Sequence, residues 1–422
     1  MMDKKILPNG LRLILVSQPQ SLATTVLILV AAGSEYETRH QNGISHFLEH
    51  LVFKGTLDRP KPGAIAAELD ALGAEYNAFT GQEYTGYWAK AQNHKLPQIL
   101  DLVSDLYVNP VFNAAEIEKE RGVIIEEINM YEDTPMRRVE ELYISLLYGD
   151  QPAGWDIAGR KDVVRKLKRE DFIRYRARHY VPQATTVVVS GAFNKAKIIT
   201  LVKKLFGGLG RGRKAPRFKT QERQTRPAMR IKFKKSDQSH MVLGVRAFDI
   251  FDPRRYTLSV LAEILGGGMS SRLFIKVREE MGAAYHIRAA SDLFLDHGFF
   301  QVSAGVDHKK IDKVIPAILQ EFSRLRREAV PPQELRKAKD HMIGGLILGL
   351  ETSDEQAAFY GSQEILTGKM LQPGEIIRRV DKVSAGDIRR LARTIFREDK
   401  LNLAVIGPYK KEKLLRQLLR LP

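Results

Sequence analysis

The 422-residue sequence contains no cysteine. It therefore has no disulfide framework, no thiol nucleophile and no cysteine-ligated metal site. Long apolar runs are also missing: the longest near the start, residues 24–32, falls well short of the ~18 residues that a membrane-spanning helix needs. The first residues have no long apolar core with a small-residue cleavage site, so we expect no secretory signal. These absences predict a soluble, cytoplasmic protein without a membrane partner, in which histidines and carboxylates hold any metal.

Positive charge is concentrated in one segment. The formal net charge is +17, and 11 Lys or Arg residues against one Glu fall between Arg211 and Lys235. A basic run of this kind is typical of nucleic-acid or acidic-lipid binding. No motif with base-reading aromatic residues accompanies it, however, and prolines interrupt it. We therefore interpret residues 213–228 as a basic linker and do not expect nucleic acid as a partner.

Two segments on either side of this linker resemble each other. In both, an acidic helix start leads into a basic amphipathic helix, a short loop and an apolar strand. Asp171 and Asp387 occupy the helix starts, Gly191 and Gly407 the strand ends, and the two pairs have the same separation along the chain. A constant offset predicts a duplicated module. Chance resemblance between two ordinary helix–strand units is the alternative.

The sequence predicts an α+β fold. The 44% hydrophobic content suits globular modules with cores of their own. Predicted strands alternate with long helices without the repeating spacing of βαβ units, which favours a largely antiparallel sheet packed with helices in each module. We expect two homologous modules, an N-terminal module at 1–212 and a C-terminal module at 229–422.

The motif His46-Phe47-Leu48-Glu49-His50 is the clearest chemical signal. On a helix, residues four apart share a face, so both imidazoles are able to approach one ion. Glu49 lies beside that face. Such a helix is suited to bind Zn²⁺ through two histidines and to hold a carboxylate close to the water that the metal activates. A helix with two incidental surface histidines is the alternative.

A catalytic zinc site usually has a third protein ligand. The predicted helix at 114–131 is rich in glutamates, and Glu120 and Glu127 lie seven residues, or two turns, apart on one face. Glu127 is then a candidate ligand and Glu120 a supporting carboxylate. The spacing does not separate Glu127 from Glu126, and a solvated acidic face explains the same pattern.

Together, the inverted motif and Glu127 after 76 intervening residues resemble the pitrilysin/insulinase metallopeptidases. These are the inverzincins, in which the order of the usual zinc motif is reversed. The resemblance covers nearly the whole chain. The overall sequence pattern resembles that of mitochondrial processing peptidase subunits and their bacterial relatives. It implies that His46, His50 and Glu127 bind one zinc ion per chain. Glu49 would then be the general base, with Glu120 supporting the site.

The same resemblance implies a substrate-binding edge strand. The matching residues are Asn77, Ala78, Phe79 and Thr80.

The C-terminal module resembles a half that binds no metal. When the offset between Asp171 and Asp387 is applied to the motif, its three polar positions fall on Ala262, Leu265 and Gly266, none of which is a metal ligand. Arg278 and Tyr285 match the Arg/Tyr pair with which the family reaches the substrate backbone. A surface Arg and a core Tyr are the alternative.

The function implied is that of a zinc-dependent endopeptidase. It would hydrolyse extended or unfolded peptides bound by strand addition in an enclosed chamber, where a zinc half faces a zinc-free half. Because one chain carries both His46 and Arg278, two identical chains could complete each other's sites, and we predict a homodimer. A heterodimer with a zinc-free homologue, or a non-catalytic subunit, is the alternative.

Overall fold

The computed structural model describes residues 2–410 and 413–422. The strands are β1 Met2–Ile6, β2 Arg12–Ser17, β3 Ala23–Val30, β4 Glu75–Thr80, β5 Thr85–Gln92, β6 Thr185–Gly191, β7 Ala228–Phe233, β8 Ser239–Arg246, β9 Ala284–Leu293, β10 Gly298–Val306 and β11 Leu401–Gly407. The α-helices are α1 Ile44–Leu51, α2 Ala64–Ala71, α3 Leu96–Val108, α4 Ala114–Asp133, α5 Pro135–Tyr148, α6 Lys161–Val164, α7 Arg169–His179, α8 Lys195–Phe206, α9 Arg255–Gly266, α10 Ile311–Arg327, α11 Pro332–Leu348, α12 Ser353–Thr367, α13 Pro373–Asp381, α14 Ala385–Ile395 and α15 Lys413–Leu418. None of the helices described is long and apolar enough to cross a membrane.

The first compact unit comprises residues 2–129, 155–218 and 348–370. Its six-stranded sheet has the order β1-β2-β6-β3-β5-β4. Only β2 and β6 pair in parallel, and the other neighbours are antiparallel. The central strands β3 and β6 are almost entirely buried, whereas β4 lies at an edge and alternates between exposed and half-buried residues.

The second unit comprises residues 130–154, 219–347 and the described part of 371–422. Its five-stranded sheet has the order β7-β11-β8-β10-β9, and again a single pair, β7 with β11, is parallel. Helices α9, α10 and α14 pack around an apolar core that includes Phe300, Phe322 and Phe396.

The two units repeat one topology. Strand β2 corresponds to β7, β6 to β11 and β3 to β8, and the members of each pair begin at the same offset that separates Asp171 from Asp387. Helices α7 and α14 begin and end at this offset as well. The predicted α+β class, with two modules that each pack helices on a largely antiparallel sheet, is therefore confirmed.

The boundaries of the units differ from the contiguous modules 1–212 and 229–422. Helix α5 packs on β8 and β11, where Val139, Leu142 and Tyr143 join an apolar cluster of the second unit. Helix α12 packs on β3 and β6, so it belongs to the first unit. Each sheet is thus covered by a helix from the other half of the sequence, because the apolar face of a helix does not itself specify which sheet buries it.

The start of the basic segment, up to Phe218, belongs to the first unit, whereas the residues from Lys219 onward belong to the second. No helix or strand occurs between residues 210 and 227. Arg217 nevertheless forms an ion pair with the buried Glu35, and its Nε lies 3.7 Å from Glu83 Oε1. The backbone N–H of Phe218 also donates to the carbonyl of Glu35. In this segment, therefore, at least one cation neutralises buried carboxylates of the fold.

Candidate metal centre

Helix α1 presents two imidazoles on one face. Ile44, Phe47, Leu48 and Leu51 are buried in the first unit, and the Phe47 ring meets an aromatic ring of α7 edge-on. With this apolar face packed inward, the i and i+4 histidines project together. The Nε2 atoms of His46 and His50 lie 3.3 Å apart.

Glu127 of α4 completes the group. Its Oε2 lies 3.5 Å from His46 Nε2 and 3.5 Å from His50 Nε2. Among the described residues, these three side chains offer ligand atoms that all lie within 4.8 Å of one another. The neighbouring Glu126 is exposed and accepts a hydrogen bond from Asn129. The structure thus brings Glu127, and not Glu126, to the histidines.

These separations suit a zinc ion. A tetrahedral site with zinc–ligand bonds of about 2.0–2.1 Å places its ligand atoms about 3.3–3.4 Å apart. The observed separations are 3.3 Å and 3.5 Å. Two imidazole nitrogens and one carboxylate oxygen are also a donor set typical of catalytic zinc. The side chains therefore fit the metal that the motif predicts.

Glu120 supports the centre from α4. Its Oε1 lies 2.8 Å from His50 Nδ1, and its Oε2 lies 2.6 Å from Lys54 Nζ. Burial alone would raise the pKa of Glu120, but the hydrogen bonds to His50 and Lys54 outweigh it and lower the pKa. Burial alone would lower the pKa of His50, but the bond to Glu120 and nearby carboxylates raise it. A carboxylate on Nδ1 leaves Nε2 facing the other two ligands.

Glu49 lies beside the group and is held by one hydroxyl. Thr80 Oγ1 donates a 2.6 Å hydrogen bond to Glu49 Oε2. Burial raises the pKa of Glu49 above its ordinary value; the bond from Thr80 and the charge of His50 oppose this rise, while the charge of Glu127 adds to it. A partly buried carboxyl with a raised pKa is well suited to accept a proton.

The predicted substrate strand lies next to α1. Residues 77–80 form the end of β4, at the edge of the sheet, and α1 packs against this strand. Asn77 and Phe79 are exposed, whereas Ala78 and Thr80 are half-buried. Thr80 is expected to contact substrate, but in the structure its hydroxyl donates to Glu49.

Arg278 and Tyr285 lie together in the second unit. Arg278 belongs to a π-helical segment, Phe274–Glu280, and Tyr285 to β9. The Arg278 guanidinium is centred 5.3 Å from the ring of Tyr285 and 4.8 Å from that of Phe274. Tyr285 is 76% exposed, which excludes the alternative of a core Tyr.

Lys54 was missed by sequence reasoning. It neutralises Glu120 and is the fourth residue after His50. Residues four apart on a helix are neighbours, so the spacing could have indicated a cation near the same carboxylate. The local structure is a 3₁₀ turn, Val52–Lys54, that continues directly from α1.

Comparisons with known proteins agree with this description. Residues 12–161 match the model of a family described as Insulinase (Peptidase family M16), and residues 166–342 match that of the Peptidase M16 inactive domain. An uncharacterized zinc protease of Bacillus subtilis, YmxG, is 34% identical over 95% of this chain and 97% of its own length. An uncharacterized zinc protease of Mycobacterium leprae is 34% identical over 98% of this chain and 94% of its own length.

Solved structures share the fold. A protease from Helicobacter pylori superposes with a TM-score of 0.89 at 23% identity, over 97% of this chain and 99% of the other. A Pseudomonas fluorescens structure described as a peptidase M16 inactive domain gives 0.89 at 16% identity, over 97% and 98%. A chain of Complex III2 from Candida albicans gives 0.85 at 18% identity, over 99% of both chains. Because family models match most of its length and the two bacterial relatives align along nearly all of it, the chain belongs to peptidase family M16, the insulinase family.

Proposed function

We propose that this chain is a zinc-dependent endopeptidase that hydrolyses extended or unfolded peptides. The observation that carries the proposal is the convergence of His46, His50 and Glu127 beside Glu49 in the first unit. Three ligands leave room for a fourth position, as catalytic rather than structural zinc sites do. The relatives named as zinc proteases support the same reading.

One zinc ion per chain would be held by His46, His50 and Glu127. When bound, it would supply Lewis-acid activation of water and of the peptide carbonyl. Two neutral imidazoles and one carboxylate leave the site with a net positive charge. Glu120 keeps His50 in the tautomer that offers Nε2, through the 2.8 Å contact to Nδ1.

Glu49 would act as the general base. It accepts a proton from the attacking water and then delivers that proton to the leaving amine. Its raised pKa makes the protonated carboxylic acid easier to form, and the hydroxyl of Thr80 fixes one of its oxygens. The second carboxylate oxygen stays available for the proton.

The substrate would bind to β4 by strand addition. No described strand pairs with the outer edge of β4, which supports the addition of a peptide strand there. Such a peptide would compete with Asn77 Oδ1, which accepts from the backbone N–H of Ala78 at 2.8 Å. Backbone pairing of this kind reads the extended shape of a peptide more than its side chains. Asn77–Thr80 would carry the peptide past Glu49, since the last residue of the strand touches that carboxylate.

Arg278 and Tyr285 would contact the substrate backbone. The guanidinium and the exposed phenol are neighbours and offer hydrogen-bond donors. We propose that the chain works as a homodimer in which a zinc-bearing unit and a zinc-free unit enclose one chamber. A heterodimer with a zinc-free homologue is the competing arrangement.

A non-catalytic subunit is the second candidate. The match of residues 166–342 to a domain described as inactive favours it. That match, however, lies outside the segment that contains the four residues of the proposed site.

The experiment compares the wild type with Glu49→Gln on a quenched fluorescent peptide library, with and without a chelator. We expect chelator-sensitive cleavage in the wild type and a loss of about 10²–10⁴-fold in the variant. Zinc content, measured in parallel, should be equal in the two proteins. A variant that loses zinc would assign Glu49 to the ligands, and a zinc-loaded wild type without cleavage would favour the non-catalytic subunit.

A further inference from the structure

Glu37 is a fully buried carboxylate with no basic side chain bonded to it among the hydrogen bonds and ion pairs described. It follows a short 3₁₀ turn, Ser34–Tyr36. Its Oε2 accepts from the backbone N–H of Gly43 at 2.8 Å and from Asn42 Nδ2 at 3.1 Å. Its Oε1 accepts from the backbone N–H of Ser45 at 2.9 Å. All three donors stand at the start of α1.

Helix α1, which carries both histidines, has no side-chain cap at its N-terminus. Its N-cap residue is Gly43, and no side chain of that residue is there to accept from the first turn. The first N–H groups of a helix have no acceptor within the helix, so they need one from elsewhere when they are buried. Glu37 supplies it from outside the helix, six residues before Gly43 and eight before Ser45.

Gly43 is glycine for a steric reason. Its φ is +95°, and a Cβ there would lie 2.7 Å from the carbonyl oxygen of Ala158 and 2.9 Å from Cα of Gly159. A Ser, Thr, Asp or Asn cap is therefore excluded at this position. The capping function has to come from another part of the chain, which explains why a carboxylate is buried at Glu37.

The cap is close to the ligands. His46 is the third residue of α1, directly after Ser45, and His50 lies one turn farther on. Because α1 has only eight residues, the first turn fixes the position of both imidazoles. We propose that Glu37 is a positioning residue of the metal centre, whose two carboxylate oxygens hold the first turn of α1 so that His46 and His50 meet Glu127.

Both oxygens are needed in this arrangement. An amide offers a single acceptor oxygen, and its NH₂ group would face either the N–H of Ser45 or the N–H of Gly43. A negative charge is also favoured at a helix N-terminus. Burial raises the pKa of Glu37 to about 7, and the hydrogen bonds from Ser45, Gly43 and Asn42 oppose that rise.

The test uses Glu37→Gln in the full chain, with Glu364→Gln as a matched control. Glu364 is equally buried in the first unit, where it pairs with Lys4 and takes part in none of the hydrogen bonds described for α1. Zinc alone is the probe, titrated against a chromophoric chelator. We expect Glu37→Gln to weaken zinc binding about 10–100-fold, as loss of a supporting partner does. The control should bind zinc as the wild type does.

Two further readouts separate positioning from general destabilisation. In the metal-free protein, hydrogen exchange at residues 43–46 should accelerate in Glu37→Gln and not in Glu364→Gln. With peptide, kcat should fall while KM stays within about two-fold, as for groups that act on the chemical step. If Glu37→Gln does not fold, Glu37→Asp, which keeps both oxygens on a shorter side chain, is titrated instead and should also lose zinc affinity.

The inference rests on the metal part of the proposed function only. A wild type that binds zinc but cleaves nothing would refute the peptidase and leave the role of Glu37 testable by titration. Zinc affinity within two-fold of the wild type in a folded Glu37 variant, with unchanged exchange at residues 43–46, would overturn the inference.

Discussion

The hydroxyl of Thr80 donates a 2.6 Å hydrogen bond to Glu49 Oε2, so the last residue of the edge strand β4 contacts the candidate general base on α1. This single bond joins the element proposed to bind substrate to the element proposed to carry the chemistry. A peptide that pairs with β4 therefore lies against a strand whose end is fixed to the base. The orientation of Glu49 then depends on the position of that strand.

Thr80→Val should lower kcat by about 10–100-fold, since a hydrogen bond to a charged group contributes about 1.5–3 kcal/mol and each 1.4 kcal/mol is a factor of ten. Valine keeps the shape of threonine and removes only the donor. Thr80→Ser, which keeps the hydroxyl, should retain most of kcat, and zinc content should be unchanged in both. Equal activity of the Val and Ser variants, measured with one fluorogenic peptide, would show that the bond does not orient the base.

The choice between Glu126 and Glu127 needs the structure. Both lie on an acidic helix, and their spacing from Glu120 differs by one residue. The buried face of α4 is formed by Ile117, Glu120, Ile124 and Ile128, which sets the rotation of the helix about its axis. That rotation turns Glu127 toward α1 and Glu126 toward solvent. Sequence spacing states which residues share a face, but packing decides which face meets the histidines.

Glu127→Gln should therefore weaken zinc binding by more than about 100-fold, because it removes a ligand and not merely a supporting group. Glu126→Gln is the matched control, with the same chemical change one residue away on the exposed side of the helix. It should bind zinc as the wild type does. The measurement is zinc competition with a chelator of known affinity. Comparable losses in both variants would mean that helix charge, rather than ligation, controls the affinity.

His179 predicts a pH-dependent stability. The residue is 3% exposed, and its ring contacts the rings of Tyr36 and Tyr175. Burial, followed by the charge of Arg178, lowers the pKa of His179 to about 4 from 6.5. Between these values the unfolded chain binds a proton that the folded chain does not. Stability is therefore fully present above pH 6.5 and is lost as the pH falls toward 4.

The expected loss from His179 is about 3 kcal/mol, since each unit of pKa difference contributes about 1.4 kcal/mol. His179→Phe keeps an aromatic ring and cannot titrate. From pH 7 to pH 4 the free energy of unfolding, measured by urea in the presence of chelator, should fall by about that much more in the wild type than in this variant. Parallel pH profiles of the two proteins would show that His179 titrates normally.

How far the sequence predicts this fold depends on the range of the interaction. The constant offset between the two halves correctly indicated the duplicated topology, because it depends on local helix and strand patterns. The sequence could not predict that α5 and α12 each pack on the sheet formed by the other half of the chain. The amphipathic pattern of a helix such as α5 shows that one face is buried, but it does not indicate which sheet buries it. The placement of His46 and His50 on one face was predictable for the same reason, because it depends only on the geometry of a single helix. Glu37, by contrast, acts across a turn with no periodic spacing.

Mixing two inactive variants tests the proposed homodimer. Glu49→Gln disables the zinc-bearing unit, and Arg278→Ala removes a donor from the zinc-free unit, so each homodimer should be inactive or nearly so. If sites form between two chains, a mixed dimer contains one intact site: the zinc-bearing unit of the Arg278 variant and the Arg278–Tyr285 pair of the Glu49 variant. When an equal mixture is dissociated and reassembled, random pairing makes half of all dimers mixed. Each mixed dimer has one of its two sites restored. The mixture should therefore show about a quarter of the wild-type activity. Light scattering before and after mixing establishes that dimers are present. No recovery from a mixture shown to be dimeric, with both variants zinc-loaded, would mean that Arg278 serves the site of its own chain or of a different partner.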